Sequence, residues 1–574
     1  MKLQRIKRLR MASALLGLSP LLVLAAPPDA GQLLNERQRV ETPPRQHAAE
    51  PGLEAAPAAT PAGPGLSALV SRVRFTGAED LATEAELQSW VADALGQRLN
   101  HGQLQALAAR VTARLQAKGY LLARAYLPRQ DLSGGELQIA VLAGRLQEGP
   151  GRLTLNGGDE ALQARLRAIA DANLHDGPAR AEDVERALLL MRDVPGISVR
   201  SALDKGEQPG TSRIQTQVQT QRPWGLGASV DNFTNRYTGS VRVGVHGSWF
   251  RPLEHEDVAD LSLSETSRTH QAALSYAWGV LPEGLRANVN ASYMHYRVGL
   301  DLAPLDLTGT ARTLGAGLSY PLIRGRERNL WATLDAADTR LDDDTLGVAL
   351  HRRVVDSATL GLSGNHYDEL GGGGSFDFGA GITSGTVGLS GNADDNEADR
   401  LGAGTQGSYQ KLSWRLARTQ TLPGLADWSV LLAANGQFAT ANLDSSEKFI
   451  LGGPSGVRAY PVGEASGDEG TLLNLELRRD VRAFDLRGQA LVFFDAGWVT
   501  QHHNLWSGAL PEGQANRYTL TGAGLGFNLA GERWNLRSAW AHVIGRNPGR
   551  SATGLDADGR AARSRAWVQL NVAY

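Results

Sequence analysis

The chain contains no cysteine in 574 residues. That excludes disulfide frameworks, thiol nucleophiles and cysteine-ligated metals, and it suits a chain that crosses an oxidising compartment unfolded. Net charge is only −2, which leaves no electrostatic footprint for a nucleic-acid partner. No apolar run is long enough for a membrane-spanning helix, so a helical membrane protein is not expected. A membrane β-barrel escapes that test, because its apolar residues alternate and the average hydropathy stays polar. Catalytic motifs are also missing. There is no G-x-x-x-x-G-K-[ST] loop and no G-x-S-x-G elbow, and the glycine run at 371–374 lacks a lysine and reads as a flexible turn. His502-His503 is the only adjacent histidine pair and sits in a polar stretch, where solvation is more common than metal binding. No enzyme activity, cofactor or metal is expected.

The amino terminus reads as a secretory leader, residues 1–25. Lys2, Arg5, Lys7, Arg8 and Arg10 form a basic segment, an apolar core follows over 11–24, and Val23-Leu24-Ala25 offers a small-residue cleavage site. Residues 26–41 hold a candidate helix with Asp29 as N-cap, carrying Gln32, Leu33, Leu34, Glu36 and Arg37. Its apolar face is small, so an isolated helix would be marginal in water, and a stable one needs an enclosure. Residues 42–69 are a Pro-, Ala- and Gly-rich linker, extended and semi-rigid.

A repeated order of elements then appears. A strand over 70–75, helices over 83–95 and 103–117, and strands over 121–127 and 136–142 make one β-α-α-β-β unit within 70–147. A second, within 150–221, has a strand over 152–155, helices over 160–171 and 181–191, and strands over 197–202 and 211–218. The order resembles the POTRA domain, a periplasmic module that binds extended chains by adding a strand to its sheet edge.

From residue 222 to 574 helix signals vanish and period-2 alternation takes over. Val241, Val243 and Val245 alternate with Arg242, Gly244 and His246. Leu473, Leu475 and Leu477 alternate with Asn474, Glu476 and Arg478. In the final strand Ala566, Val568, Leu570, Val572 and Tyr574 share one face. A soluble sandwich also alternates, but rarely for so long. Roughly 350 residues at about 20–22 per strand and connection give a mainly β membrane protein with a transmembrane barrel of about sixteen strands.

Within that region lie the segments Gly456-Val457-Arg458-Ala459-Tyr460 and Phe493-Phe494-Asp495-Ala496-Gly497. The first sits in a Gly/Pro/Ser-rich loop. The second alternates, placing Phe493, Asp495 and Gly497 on the less lipid-like face. Residue chemistry alone favours an ordinary loop cation and a solvated aspartate.

Leader, short helix, Pro-rich linker, two POTRA-like units and a barrel with a V-R-G-Y-like loop and an F-x-D-x-G strand together resemble the TpsB transporters of two-partner secretion. These include the filamentous-haemagglutinin and haemolysin exporters. The segment from Asp231 to Gly239 also resembles a TpsB segment, and Ala459 departs from the family's usual glycine, which argues against a left-handed turn there. The resemblance implies that the Arg458 loop folds back into the barrel, with Arg458 meeting Asp495 on the wall. It also implies that the 26–41 helix is a plug filling the pore at rest; the alternative, less favoured, is that it is simply the start of the linker. The implied setting is the Gram-negative outer membrane with periplasmic POTRA units. The implied partners are a large secreted TpsA-type exoprotein, outer-membrane lipid and, during biogenesis, the barrel assembly machinery, which reads an aromatic carboxy-terminus. Alternatives are a barrel insertase of the same superfamily and a plain porin.

Overall fold

The computed structural model describes residues 27–41, 67–483, 486–511 and 513–574. The leader and most of the Pro-rich linker read from the sequence lie outside the described residues.

Alternation dictates the main body. Sixteen antiparallel strands, from Trp224–Asp231 to Ser564–Ala573, pair in sequence order, and the first pairs with the last to close a barrel. Closure removes every open sheet edge, the condition for burying a sheet in lipid. Val241, Val243, Val245, Leu475, Val568 and Val572 all lie exposed on the outer face. The strand Leu486–Thr500 shows the same division. Val492, Phe494 and Trp498 face out, while Leu491, Phe493 and Asp495 are buried inside.

Connections at one end of the barrel are short turns. At the other they lengthen, most of all over 440–468 and 545–563. One of the long ones corrects the expectation that helices are absent after residue 222. Ala393–Leu401 is an α-helix, capped by the Asn392 side chain on Asp394 N–H. None of its residues is buried, so it carries no apolar stripe for sequence periodicity to reveal. The segment from Asp231 to Gly239 is not an entry to the strands but the connection between the first and second, tied by an Asp231–Arg242 ion pair at 2.9 Å.

Two α+β units precede the barrel. In the first, the central strand Glu136–Leu142 runs parallel to Arg72–Thr76 and antiparallel to Arg124–Tyr126. Helices Glu84–Val91 and His101–Ala117 each start in a capping box, from Thr83 with Glu86 and Asn100 with Gln103. The first helix ends four residues earlier than its sequence suggested and tightens into a 3₁₀ turn over Ala92–Ala94. The second unit packs helices Glu160–Asn173 and Ala181–Arg192 on a sheet centred on Thr211–Thr220. Its core includes Leu162, Leu166, Ile169, Met191 and Ile214. This unit is fixed to the barrel's short-turn end by Arg165–Glu256 at 2.7 Å, Arg251–Asp159 at 2.7 Å and Arg324–Asp193 at 2.8 Å.

The helix Ala30–Glu41 belongs to neither unit. Asp29 caps it by accepting from Gln32 N–H at 2.8 Å. A polar twelve-residue helix is marginal in water, and this one is enclosed by the ring of strands. Leu33 and Leu34 join a cluster with the inward-facing residues Met294, Tyr296 and Leu341.

Candidate functional site: an inward loop and a lumenal helix

The loop 440–468 leaves strand Leu425–Ala439 at the long-connection end and folds back inside the barrel. Its stem is a two-residue ladder, Phe449–Ile450 with Ser466–Gly467. Its tip is cross-tied by Val457 N–H donating to Leu451 O at 2.7 Å and Tyr460 N–H to Val457 O at 3.0 Å. Val457, Ala459 and Tyr460 are completely buried against Leu472, Leu491, Phe493, Leu520 and Ala541 of the inner wall. Apolar packing thus sets the depth of the loop, and it leaves one cation to be accommodated.

That cation is Arg458. Its Nε donates to Asp495 Oδ2 at 2.9 Å and its Nη2 to Asp495 Oδ1 at 2.7 Å, a bidentate fork. Nη1 donates to Glu476 Oε1 at 2.7 Å, and the guanidinium carbon lies 3.5 Å from the centre of the Phe493 ring. The main chain is held too: Arg458 N–H donates to Asp495 Oδ2 at 3.0 Å, and Arg458 O accepts from Trp567 Nε1 at 2.7 Å. Asp495, fully buried, receives a further donor from Asn474 at 2.7 Å. Arg478 balances the second carboxylate by donating to Glu476 Oε2 at 2.7 Å. Two cations and two carboxylates therefore share the site, the arrangement that makes buried charge tolerable.

The remaining residues of the two motifs shape the loop's approach. A Cβ on Gly456 would meet the main-chain Leu451 O at 1.9 Å, so that position must be glycine for the chains to pack this closely, and one on Gly497 would meet Leu451 Cδ2 at 2.5 Å, which the leucine side chain would have to vacate. Ala459 has no left-handed backbone, and its methyl lies over Gly522, where a side chain would come within 2.5 Å of it.

The helix meets the same loop from the other side. Asn35 donates to Lys448 O at 2.6 Å, Arg39 lies over the Phe449 ring, and Gln32 donates to Glu36 at 2.8 Å. Glu36 also accepts from Asn235 of the 232–241 connection at 3.4 Å. Burial pushes the Glu36 carboxyl up to about 7 despite those two donors. Glu464, in the loop, is likewise pushed up to about 7 by burial, while Asn547 and Ala557 N–H of the 545–563 connection hold its oxygens at 2.8 and 2.7 Å. Arg37 of the helix is buried as well.

Glu476, Asn474 and Trp567 were not singled out from the sequence. The alternation around Leu473, Leu475 and Leu477 does put Asn474 and Glu476 on the inner face. What it lacks is the register that sets Asn474 opposite Asp495 and Glu476 opposite Phe493. His502 and His503 are separate from this site, His503 pairing with Glu469 at 2.9 Å and His502 packing on Trp506.

A closed sixteen-strand barrel with α+β units at one end and an arginine-bearing loop inside defines an outer-membrane pore of the POTRA–barrel class. The chain belongs to the haemolysin secretion/activation protein ShlB/FhaC/HecB family, whose model matches residues 210–529, and a ShlB-type POTRA domain matches 68–144. It is an outer-membrane transporter of two-partner secretion. Among curated relatives, the haem/hemopexin transporter protein HuxB of Haemophilus influenzae (strain 86-028NP) is 26% identical over 78% of both chains. The outer membrane transporter CdiB of Escherichia coli O6:K15:H31 is 26% identical, covering 82% of this chain and 79% of its own. In fold, the structure matches CdiB from Escherichia coli with a TM-score of 0.69 at 22% identity, over 94% of this chain and 96% of that one. CdiB from Acinetobacter baumannii matches at 0.63 and 16%, over 95% and 97%.

Proposed function

We propose that this transporter carries a large, unfolded TpsA-type exoprotein through the barrel lumen to the cell surface, with the Ala30–Glu41 helix as a removable plug and Arg458 with Asp495 as the clamp that fixes the loop. The observation that carries this reading is how the lumen is filled. The helix and the loop occupy it, yet the wall closes strand to strand without either. Among the described residues the helix takes part in no sheet ladder, so it can leave without breaking one. The linker read over 42–69 then serves as its tether.

We read the second α+β unit as a second POTRA domain. Among the described residues its strand Ile197–Lys205 pairs on one side, leaving an edge to which an arriving chain can add a strand. With no nucleotide-binding loop in the sequence, directionality falls to folding of the cargo outside. Outer-membrane lipid contacts the exposed apolar face, and the barrel assembly machinery reads the terminal strand ending in Tyr574. HuxB is named for haem/hemopexin; this chain's own cargo belongs to the same broad class of exported partner proteins.

A barrel insertase is the second reading, favoured by the first–last seam, which has five register pairs against eight between the first and second strands. A stalled partner chain separates the two. Photo-crosslinkers replace Arg415 inside the lumen and Val230 outside the seam. Export predicts crosslinks at 415; crosslinks at 230 alone would favour the insertase.

A further inference from the structure

At its amino end the helix enters a cluster of charge that the loop clamp does not involve. Arg353 projects from strand Val348–Asp368 into the lumen and is buried. Three carboxylates converge on it from three separate parts of the chain. Asp343, on the neighbouring wall strand, accepts from Nη2 at 2.7 Å. Asp444, in the 440–468 loop, accepts from Nη1 at 2.8 Å, and Asp29, capping the helix, lies 3.2 Å from the same Nη1. The neighbouring hydroxyls and amides complete the set. Ser445 Oγ donates to Asp29 at 2.8 Å, Ser446 N–H to Asp444 at 2.9 Å, and Tyr296 Oη to Asp343 at 2.5 Å. The helix contributes one more donor, Ala30 N–H to Asp343 Oδ1 at 2.9 Å.

We infer that Arg353 is the positioning residue that docks the helix at rest, and that Asp29 and Asp444 compete for it. This rests on reading the helix as a plug. When the helix leaves, Arg353 keeps Asp343, Asp444 and Ser445, so the socket stays paired and no guanidinium is stranded in the wall. At this cluster the helix gives up the Asp29–Arg353 ion pair, the Ser445 bond to Asp29 and the Ala30 amide bond. Three carboxylates on one guanidinium also repel one another, so each is held less firmly than it would be alone. The docking is therefore strong enough to register the helix and weak enough to release it. Removing the plug's carboxylate and removing its competitor should act in opposite directions, which a purely structural role for the cluster does not produce.

The test is single-channel recording of the full chain in planar bilayers. Asp29→Asn keeps the N-cap oxygen but loses the charge, and should raise the time spent fully open by about tenfold, the scale of a lost charge-assisted bond. Asp444→Asn keeps the bond from Ser446 N–H and removes the competitor, and should lower it. Arg353→Gln should behave like Asp29→Asn; heat-modifiable migration reports whether its barrel has folded, and the two aspartate variants decide the matter if it has not. Deletion of 29–41 checks the underlying reading separately. If deletion opens the channel but Asp29→Asn and Asp444→Asn shift opening in the same direction, or not at all, the docking role is overturned. If deletion itself changes nothing, the plug reading falls and this inference with it.

Discussion

Arg458→Ala removes the one group that neutralises Asp495 in a site closed to water. Asp495 would keep two uncharged donors, the Asn474 amide and the main-chain N–H of residue 458, while Glu476 would keep Arg478. At an effective dielectric near 20 the Arg458–Asp495 attraction is roughly 4–6 kcal/mol, much of it offset by desolvation. Stranding one member of a buried pair nevertheless costs about 3–5 kcal/mol, since the charge stays behind without its partner. Asp495→Ala should cost less, because Arg458 retains Glu476 and the face of Phe493. The double variant removes both buried charges and should fall short of the sum by about 2–3 kcal/mol. Hydrogen exchange at residues 457–460 in the reconstituted protein reads the free energy of opening the loop directly. Secretion of the partner should be abolished by Arg458→Ala while the barrel stays folded. Additivity of the single variants within about 0.5 kcal/mol, unchanged protection in Arg458→Ala, or normal secretion would refute the clamp.

Three further outcomes are expected. Deleting residues 29–41 should raise single-channel conductance, because the helix occupies lumen that the wall does not need for closure; an unchanged conductance would assign that helix to the linker. Plug docking should depend on pH through Glu36. Its carboxyl sits at about 7 when docked and near the ordinary 4.5 when free, so docking is fully supported below about 4.5 and weakens as pH rises through 7. Channel openings should therefore become more frequent from pH 5.5 to 8, and Glu36→Gln should flatten that dependence. Gly456→Ala places a methyl 1.9 Å from Leu451 O, and should destabilise the loop by about 2–3 kcal/mol, read as faster exchange at 457–460 with an intact barrel.

The faces of the barrel were legible because lipid and water impose period 2 on every strand, and the expected sixteen strands close as a barrel. The cap at Asp29 was legible for a similarly local reason, a short acceptor side chain ahead of good helix formers. Alternation placed Asp495 on the inner face, and the family resemblance, not residue chemistry, paired it with Arg458. Neither reached their neighbours. Glu476, Asn474 and Trp567 reach the site from other strands, and their placement depends on strand register, which the alternation of any one strand does not state. The Arg353 cluster was invisible for the same reason, being assembled from residues 29, 343, 353 and 444. The Ala393–Leu401 helix was missed because it is polar all round, and periodicity can find a helix only through the face it buries.

The central claim is that cargo passes through the lumen after the helix leaves it, and one covalent lock tests that most directly. A Cβ on Gly31 would lie 2.4 Å from Ser445 Oγ and 2.8 Å from Ser446 N, so cysteines at 31 and 445 are neighbours that reach disulfide geometry once the helix start shifts outward from the loop. The chain has no other cysteine to compete. With Gly31→Cys and Ser445→Cys together, oxidation should stop secretion of the partner and reduction should restore it, while either single variant secretes under both conditions. Undiminished secretion from protein fully crosslinked between 31 and 445 would contradict the account.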